Sequence, residues 1–377
     1  MTTNLHRSHG WRDDTVAPDW PALTSADVLA LAAQYPVLQA NPRIVWHSPR
    51  PFSSAARVWT ARGELFIKRH HCTVRSVQDL HEEHAFIAHL LGQGLPVPRV
   101  LPAADGETAI AQGGWSYELH ATAAGVDVYR DAASWTPPRC PGHARSAGQL
   151  LARLHRAAAT FTAPDRSTAL LVNAATLLCA PDLFAAIEAQ CLARPALADA
   201  LHAIDWRRQL ACLLPRHRHL QPLLAAQQRL WTHGDWHVSN LFWESDQADA
   251  RICSILDFGL CAPTFALFDL ATAIERNAIL WLQPDPDSPS FLPDIARNLL
   301  AGYAELSPLL PAQRELLAAL LPLVHLDFAL SELQYFHAVT RKPDDARLAW
   351  EGYLLGHAQW FDTAPGQRLL ALIRGTG

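Results

Sequence analysis

The sequence predicts a two-lobed α+β protein, with a small β-rich N-terminal lobe and a larger, mainly helical C-terminal lobe. Three observations carry that reading. At 377 residues the chain is too long for one simple core and suits two. Short β-type runs broken by turn residues fill Ile44 to His70 and return between Thr108 and His120. After Gly125 apolar residues recur mostly at helical spacing. The domains are therefore read as a loose leader (1–24), an N-terminal lobe (25–120) and a helical C-terminal lobe (121–377).

Taken in order, Ser25 is expected to cap a helix over Ala26–Gln34. Arg57–Thr60, a turn at Ala61–Gly63 and Glu64–Lys68 read as a hairpin. A helix from Ser76 to Leu91 should stop at Gly92 and Gly94, before Leu95-Pro96-Val97-Pro98 forces extended chain. Two short strands follow, at Thr108–Ala111 and Trp115–His120. Ala147–Ala159 reads as the first helix of the second lobe. Between Leu230 and Leu260 the helical pattern gives way to loops and short strands. Leu316–Leu330 is the most apolar stretch, but Pro322, His325 and Asp327 interrupt it. It reads as buried helix and not as a membrane span.

Composition excludes several classes. Half the residues are apolar and 18% are charged, so the chain can bury a large core and is not disordered. A net charge of −5 argues against nucleic-acid binding through a broad basic surface. Seven cysteines with no Cys-x-x-Cys pair suit a reducing, cytoplasmic setting, and the N-terminus shows no signal-peptide pattern. Of 31 basic residues only Lys68 and Lys342 are lysine, so a lysine that persists is a candidate for a role arginine would fill badly.

The chemistry is concentrated in His233-Gly234-Asp235-Trp236-His237-Val238-Ser239-Asn240, followed seventeen residues later by Asp257-Phe258-Gly259. Phosphoryl transfer needs a carboxylate to receive or orient the acceptor hydroxyl, and hard oxygen donors to hold Mg²⁺ against the phosphates. Asp235 fits the first need; Asn240 and Asp257 fit the second. A cation for the nucleotide phosphates is available at Lys68, and the following helix offers Glu82 and Glu83 to hold it. A rival reading takes His233 and His237 as zinc ligands, with His217 and His219, or Asp257, completing the set. It lacks the glutamate that HExxH requires after the first histidine, and it leaves Asp235, Asn240 and Lys68 without roles.

HGDxxxxN followed by DFG, with LPVP after the Glu83 helix, resembles the aminoglycoside phosphotransferase family and its choline and homoserine kinase relatives. The resemblance runs from about Arg43 to Asp269. It implies a protein-kinase-like fold, ATP and Mg²⁺ as cofactors, and transfer of the γ-phosphoryl group to a hydroxyl of a small molecule. Residue by residue it implies Lys68 for the α/β-phosphates with Glu83 as its partner, Asp235 as catalytic base, and Asn240 and Asp257 as metal ligands. Asp269 would brace the catalytic loop and His233 would anchor its backbone. Tyr117–His120 falls where such enzymes bind adenine through main-chain groups, which marks Glu118 and His120. The hairpin Arg50–Arg57 lacks the GxGxxG of protein kinases, and Ser53 and Ser54 would donate hydrogen bonds in its place. No Ala-Pro-Glu follows Asp257, which speaks for a small-molecule acceptor rather than a protein. A nucleotide-binding pseudokinase is the alternative; degenerate kinases usually lose the base or a metal ligand, and here the set is complete. In the segment His325–Phe336, Asp327, Ser331, Glu332 and Tyr335 recur at spacings of one to four residues beside an apolar stripe, and the two acids, Asp327 and Glu332, would suit a cationic acceptor.

Overall fold

A computed structural model describes residues 18–39, 41–48, 52–282 and 290–376, with the backbone of a short strand pair, His6–Arg7 and Thr15–Val16. The chain divides into two compact units. The first comprises Met1–Thr136, Arg166–Thr168 and Ser239–Leu256; the second comprises Pro137–Asp165, Ala169–Val238 and Asp257–Gly377.

The first unit is built on five antiparallel strands: β1 (Arg43–His47), β2 (Ser54–Thr60), β3 (Gly63–His71), β4 (Ala109–Gln112) and β5 (Trp115–Ala121), in the order β1-β2-β3-β5-β4. Alternation along the strands divides the sheet into two faces. Ala56, Val58, Leu65, Ile67, Tyr117 and Leu119 are buried in one core with Val28 and Leu31 of α1 (Ser25–Leu31). Phe66, Lys68 and His70 of β3 share the opposite face with Glu118 and His120 of β5. Helix α2 (Val77–Gly92) reaches that face through His84. Ser76 caps α2 reciprocally with Asp79: the Ser76 N–H donates to Asp79 Oδ2 at 2.7 Å and the Asp79 N–H to Ser76 Oγ at 3.1 Å.

Three expectations are corrected here. The leader was drawn through residue 24, yet its described end is packed: Trp20 stacks on His71 at 4.8 Å, Pro21 O accepts from Arg69 Nη2 at 2.7 Å, and Leu23 is buried. The rest of residues 1–24, apart from the short strand pair's backbone, lies outside the described residues. The helix that follows is capped by Thr24, one residue earlier than expected. The lobe boundary at residue 120 also moves. Strands β7 (Leu241–Trp243) and β8 (Ile252–Ile255) form a hairpin that belongs to the first unit. Val126 and Trp243 exchange N–H···O bonds of 2.7 and 2.9 Å, and the Ile255 N–H donates to Pro96 O at 2.7 Å.

In the second unit, β6 (Arg229–Thr232) pairs antiparallel with β9 (Ala262–Phe265), which feeds α4 (Ala266–Ala278). Helix α3 spans Pro141–Ala158, beginning well before the expected Ala147 because Pro141 pre-sets the first turn. It packs on α5 (Pro293–Leu306). The apolar stretch 316–330 is not one helix. Helix Pro311–Leu320 ends before Pro322, whose ring cannot continue the ladder, and α6 (Leu326–Gln334) starts afresh. No helix among the described residues is long and apolar enough to cross a membrane.

Two glycines allow α3 and α5 to touch. A Cβ on Gly148 would overlap Leu299 O, and one on Gly302 would overlap Arg145 O. Gly148→Ala is therefore expected to cost about 1–3 kcal/mol through forced separation of the helices. Thermal unfolding followed by circular dichroism should show a midpoint several degrees lower; an unchanged midpoint contradicts the close approach.

Candidate active site

The His233–Asn240 segment leaves β6 at Thr232 and turns immediately. Gly234 has φ +75°, and a Cβ there would lie 2.5 Å from Leu260 O and 3.2 Å from Asn173 Cβ, so only glycine passes. The turn is held from below by Asp269, which is wholly buried in the first turn of α4. Its Oδ2 accepts the His233 N–H at 2.9 Å and its Oδ1 accepts the Gly234 N–H at 3.0 Å, while His155 Nε2 lies 3.1 Å from Oδ2. Burial alone would push this carboxyl up, but the hydrogen bond and charge of His155 and the charge and backbone N–H of His233 outweigh it and hold Asp269 below its ordinary value.

Further clamps follow along the loop. Asn173 Nδ2 donates to Gly234 O at 2.8 Å. Asn277 Oδ1 accepts the Val238 N–H at 3.1 Å, and its Nδ2 donates to Trp236 O at 2.9 Å. His233 Nδ1 accepts the Asp235 N–H at 3.2 Å, and its ring packs 4.8 Å from Phe258. Asp235 is thereby presented at the tip of a rigid turn, half-buried. Its Oδ1 is paired with Arg276 Nη1, and His237 Nε2 lies 3.5 Å away. Arg276 is itself buried and lies over the Phe328 ring at 5.4 Å. Asp257 is exposed and adopts φ +59°, a left-handed conformation that a non-glycine residue holds only where its surroundings impose it.

In the first unit, Lys68 stands in β3 between Ala55 of β2 and Glu118 of β5. Glu83 is buried in α2 and accepts from Arg75 Nε at 3.2 Å and Arg166 Nη2 at 2.9 Å. Glu82 accepts the Ser167 N–H at 3.1 Å and also pairs with Arg166. Asn240 closes the short turn that enters β7, where its carbonyl accepts the Leu256 N–H at 2.8 Å. Ser54 opens β2 opposite Arg69 and is buried, Ser53 is half-buried before it, and Arg50 and Pro51 lie outside the described residues.

Glu118 and His120 differ from the expectation. Both lie inside β5, opposite Lys68 and Phe66, with Ala109 and Val100 bridging from the other side. Their main-chain groups belong to the sheet and not to a base. The Glu118 carboxylate instead meets three imidazoles, His70 at 3.0 Å, His84 at 2.8 Å and His120 at 2.7 Å. Asp327 is likewise committed: its carboxylate accepts the Leu177 N–H at 2.9 Å and Gln190 Nε2 at 3.1 Å, which ties α6 to neighbouring chain. The zinc set proposed around His233 and His237 is not assembled, since His217 Nε2 bonds Leu177 O at 2.9 Å and His219 is exposed beside Glu315.

The braces Asn173, Asn277, Arg276 and His155, and the arginines on Glu82 and Glu83, were missed in the sequence. Arg276 and Asn277 carried one usable signal, as polar residues about two turns beyond Asp269 in the same buried helix.

Asp269→Asn should cost about 3 kcal/mol, since one amide of the loop then faces a donor inside the core. Because Asp269 is held below its unfolded value, its contribution is present above about pH 4 and is lost as pH falls through the lower folded value. Denaturant unfolding of both proteins at neutral pH checks this; equal stabilities contradict the bracing role.

A model described as the phosphotransferase enzyme family matches residues 51–309. The fold is similar to that of an amicoumacin kinase in complex with AMP-PNP and Ca²⁺, at 15% identity, over 94% of each chain, with a TM-score of 0.59. It is similar to a microcompartment-associated aminopropanol kinase at 17% identity, over 92% of this chain and 100% of that one, with a TM-score of 0.58. A spectinomycin phosphotransferase in complex with ADP and spectinomycin aligns at 10% identity, over 95% and 99% of the two chains, with a TM-score of 0.53. An uncharacterized protein of Deinococcus radiodurans is 28% identical over 228 residues, which is 59% of this chain and 58% of that relative's length. With a family model spanning most of its length, and the loop that the HGD and DFG segments build, the chain belongs to the phosphotransferase enzyme family.

Proposed function

We propose that the protein is an active small-molecule kinase, which transfers the γ-phosphoryl group of ATP to a hydroxyl of its acceptor with Mg²⁺. The observation that carries this reading is the braced loop presenting Asp235 with Arg276 on one carboxylate oxygen. A pseudokinase would have no reason to keep a buried acid, two asparagines and an arginine fixing a carboxylate that does nothing.

Roles follow from chemistry. Lys68 grips the α/β-phosphates, and Glu83 belongs to the support of that lysine. Asn240 and Asp257 are hard oxygen donors of the kind Mg²⁺ prefers, and the left-handed backbone of Asp257 suits a residue strained for a purpose. When bound, Mg²⁺ neutralises charge on the phosphate oxygens. Arg276 pairs with Asp235 and fixes its plane. Asp235 orients the acceptor hydroxyl and takes its proton as the new O–P bond forms and the bond to the ADP oxygen breaks.

For the acceptor, Glu332 is the better of the two acids marked in α6. Burial pushes its carboxyl up to about 8, against the opposing charge of Arg276, the same arginine that holds Asp235. An acceptor ammonium would ionise Glu332 on binding and release its proton, which suits an amino alcohol. The aminopropanol kinase among the similar structures acts on a molecule of that class.

Asp235→Asn should leave nucleotide binding nearly intact and lower turnover at least about a hundredfold; retention of more than about a tenth of wild-type turnover would sink the assignment. Glu332→Gln should raise acceptor KM with ATP KM unchanged. In the wild type acceptor KM should fall as pH rises toward 8, because the ionised acid binds the cation. A pH-independent KM equal to that of the variant removes Glu332 from the acceptor site.

A further inference from the structure

Outside the catalytic loop, the most concentrated set of ligating atoms lies under α2. Among the described residues His84, Glu118 and His120 bring three donor atoms within 4.8 Å of one another. We propose that these three residues bind a zinc ion, with His70 and Thr108 forming its outer shell.

The geometry is close to what zinc requires. His84 Nε2 and His120 Nε2 both point at the same carboxylate oxygen, Glu118 Oε2, at 2.8 and 2.7 Å. Ligands about 2.0–2.1 Å from a tetrahedral zinc stand roughly 3.3 Å apart, so a few tenths of an ångström of side-chain movement opens the space. The two imidazoles are nearly perpendicular, at 83° with centroids 5.9 Å apart, as two ligands around one ion can be. Imidazole and carboxylate are the donors zinc accepts where thiolates are lacking.

The outer contacts are those that fix metal ligands. His84 Nδ1 lies 2.9 Å from Thr108 Oγ1; donating its proton there leaves Nε2 with a lone pair for the metal. Glu118 Oε1 is held by His70 Nε2 at 3.0 Å, so Oε2 is the oxygen turned toward His84 and His120. His84 and Glu118 are 3% exposed while the His120 side chain is 15% exposed, which gives the ion a way in.

A zinc here would pin α2 to β5, next to Glu83 in the helix and directly across the strand from Lys68. Its existence does not depend on the reading of Asp235, because its test measures metal and not phosphoryl transfer.

The test uses the full chain without a polyhistidine tag, stripped with a chelator and titrated with Co²⁺. We expect one equivalent bound with the visible absorption of four-coordinate cobalt, displaced by Zn²⁺. His120→Gln, at the more exposed ligand, and Glu118→Gln should abolish the bands. Zn²⁺ should raise the thermal midpoint of wild type and leave that of His120→Gln unchanged. His219→Gln, at an exposed histidine, should bind as wild type does. Absence of a stoichiometric band in wild type, or bands that persist in both ligand variants, would overturn the site and leave a hydrogen-bonded His–Glu cluster.

Discussion

The main chain at His233 and Gly234 hangs on the carboxylate of Asp269, which receives both N–H groups from inside the core. A buried carboxylate is costly unless its lone pairs are used, and here two amides and His155 use them. Those two amides would in turn be orphaned without it. The dependence is mutual: the carboxylate needs the amides and the amides need the carboxylate. Glycine at 234 is a consequence: the chain can pass beneath Leu260 O only without a side chain. Asp235 then inherits its position from groups buried in the core.

Around that loop the second unit buries an unusual set of ionisable groups. Glu275 is pushed up to about 8 by burial and then by Glu332, and His357 Nδ1 meets it at 2.8 Å. His325 is pulled down to about 4 by burial. Arg276 links this group to Asp235. Hydrophobic side chains in these places would cost less to bury. The second unit accepts that penalty beside the paired carboxylate of Asp235.

The parts that chemistry dictates were legible in the sequence. The HGD and DFG segments stand out as a pattern of polar residues at fixed spacing, and the β-rich half shows itself by alternation and by turns such as Ala61–Gly63. The supports were not legible, because any donor in reach can brace a loop. Asn173 arrives from a segment sixty-one residues before Gly234, and Arg75 and Arg166 reach Glu83 from different parts of the chain. Glu118 lies in the strand that alternation locates, but the partners of its side chain depend on pairing with β3 and on α2. The break at Pro322 was visible as a proline and was underweighted against the apolar run on either side.

The central claim is that the chain moves a phosphoryl group from ATP to an alcohol. Its most direct test is incubation with Mg²⁺, a pool of amino alcohols and other hydroxyl metabolites, and ATP carrying heavy oxygen on its γ-phosphoryl group, followed by mass spectrometry. The account predicts a phosphomonoester of a pool member bearing the heavy label, formed in step with ADP. Bound nucleotide with no labelled ester from any hydroxyl compound, or label recovered only as inorganic phosphate, would contradict it.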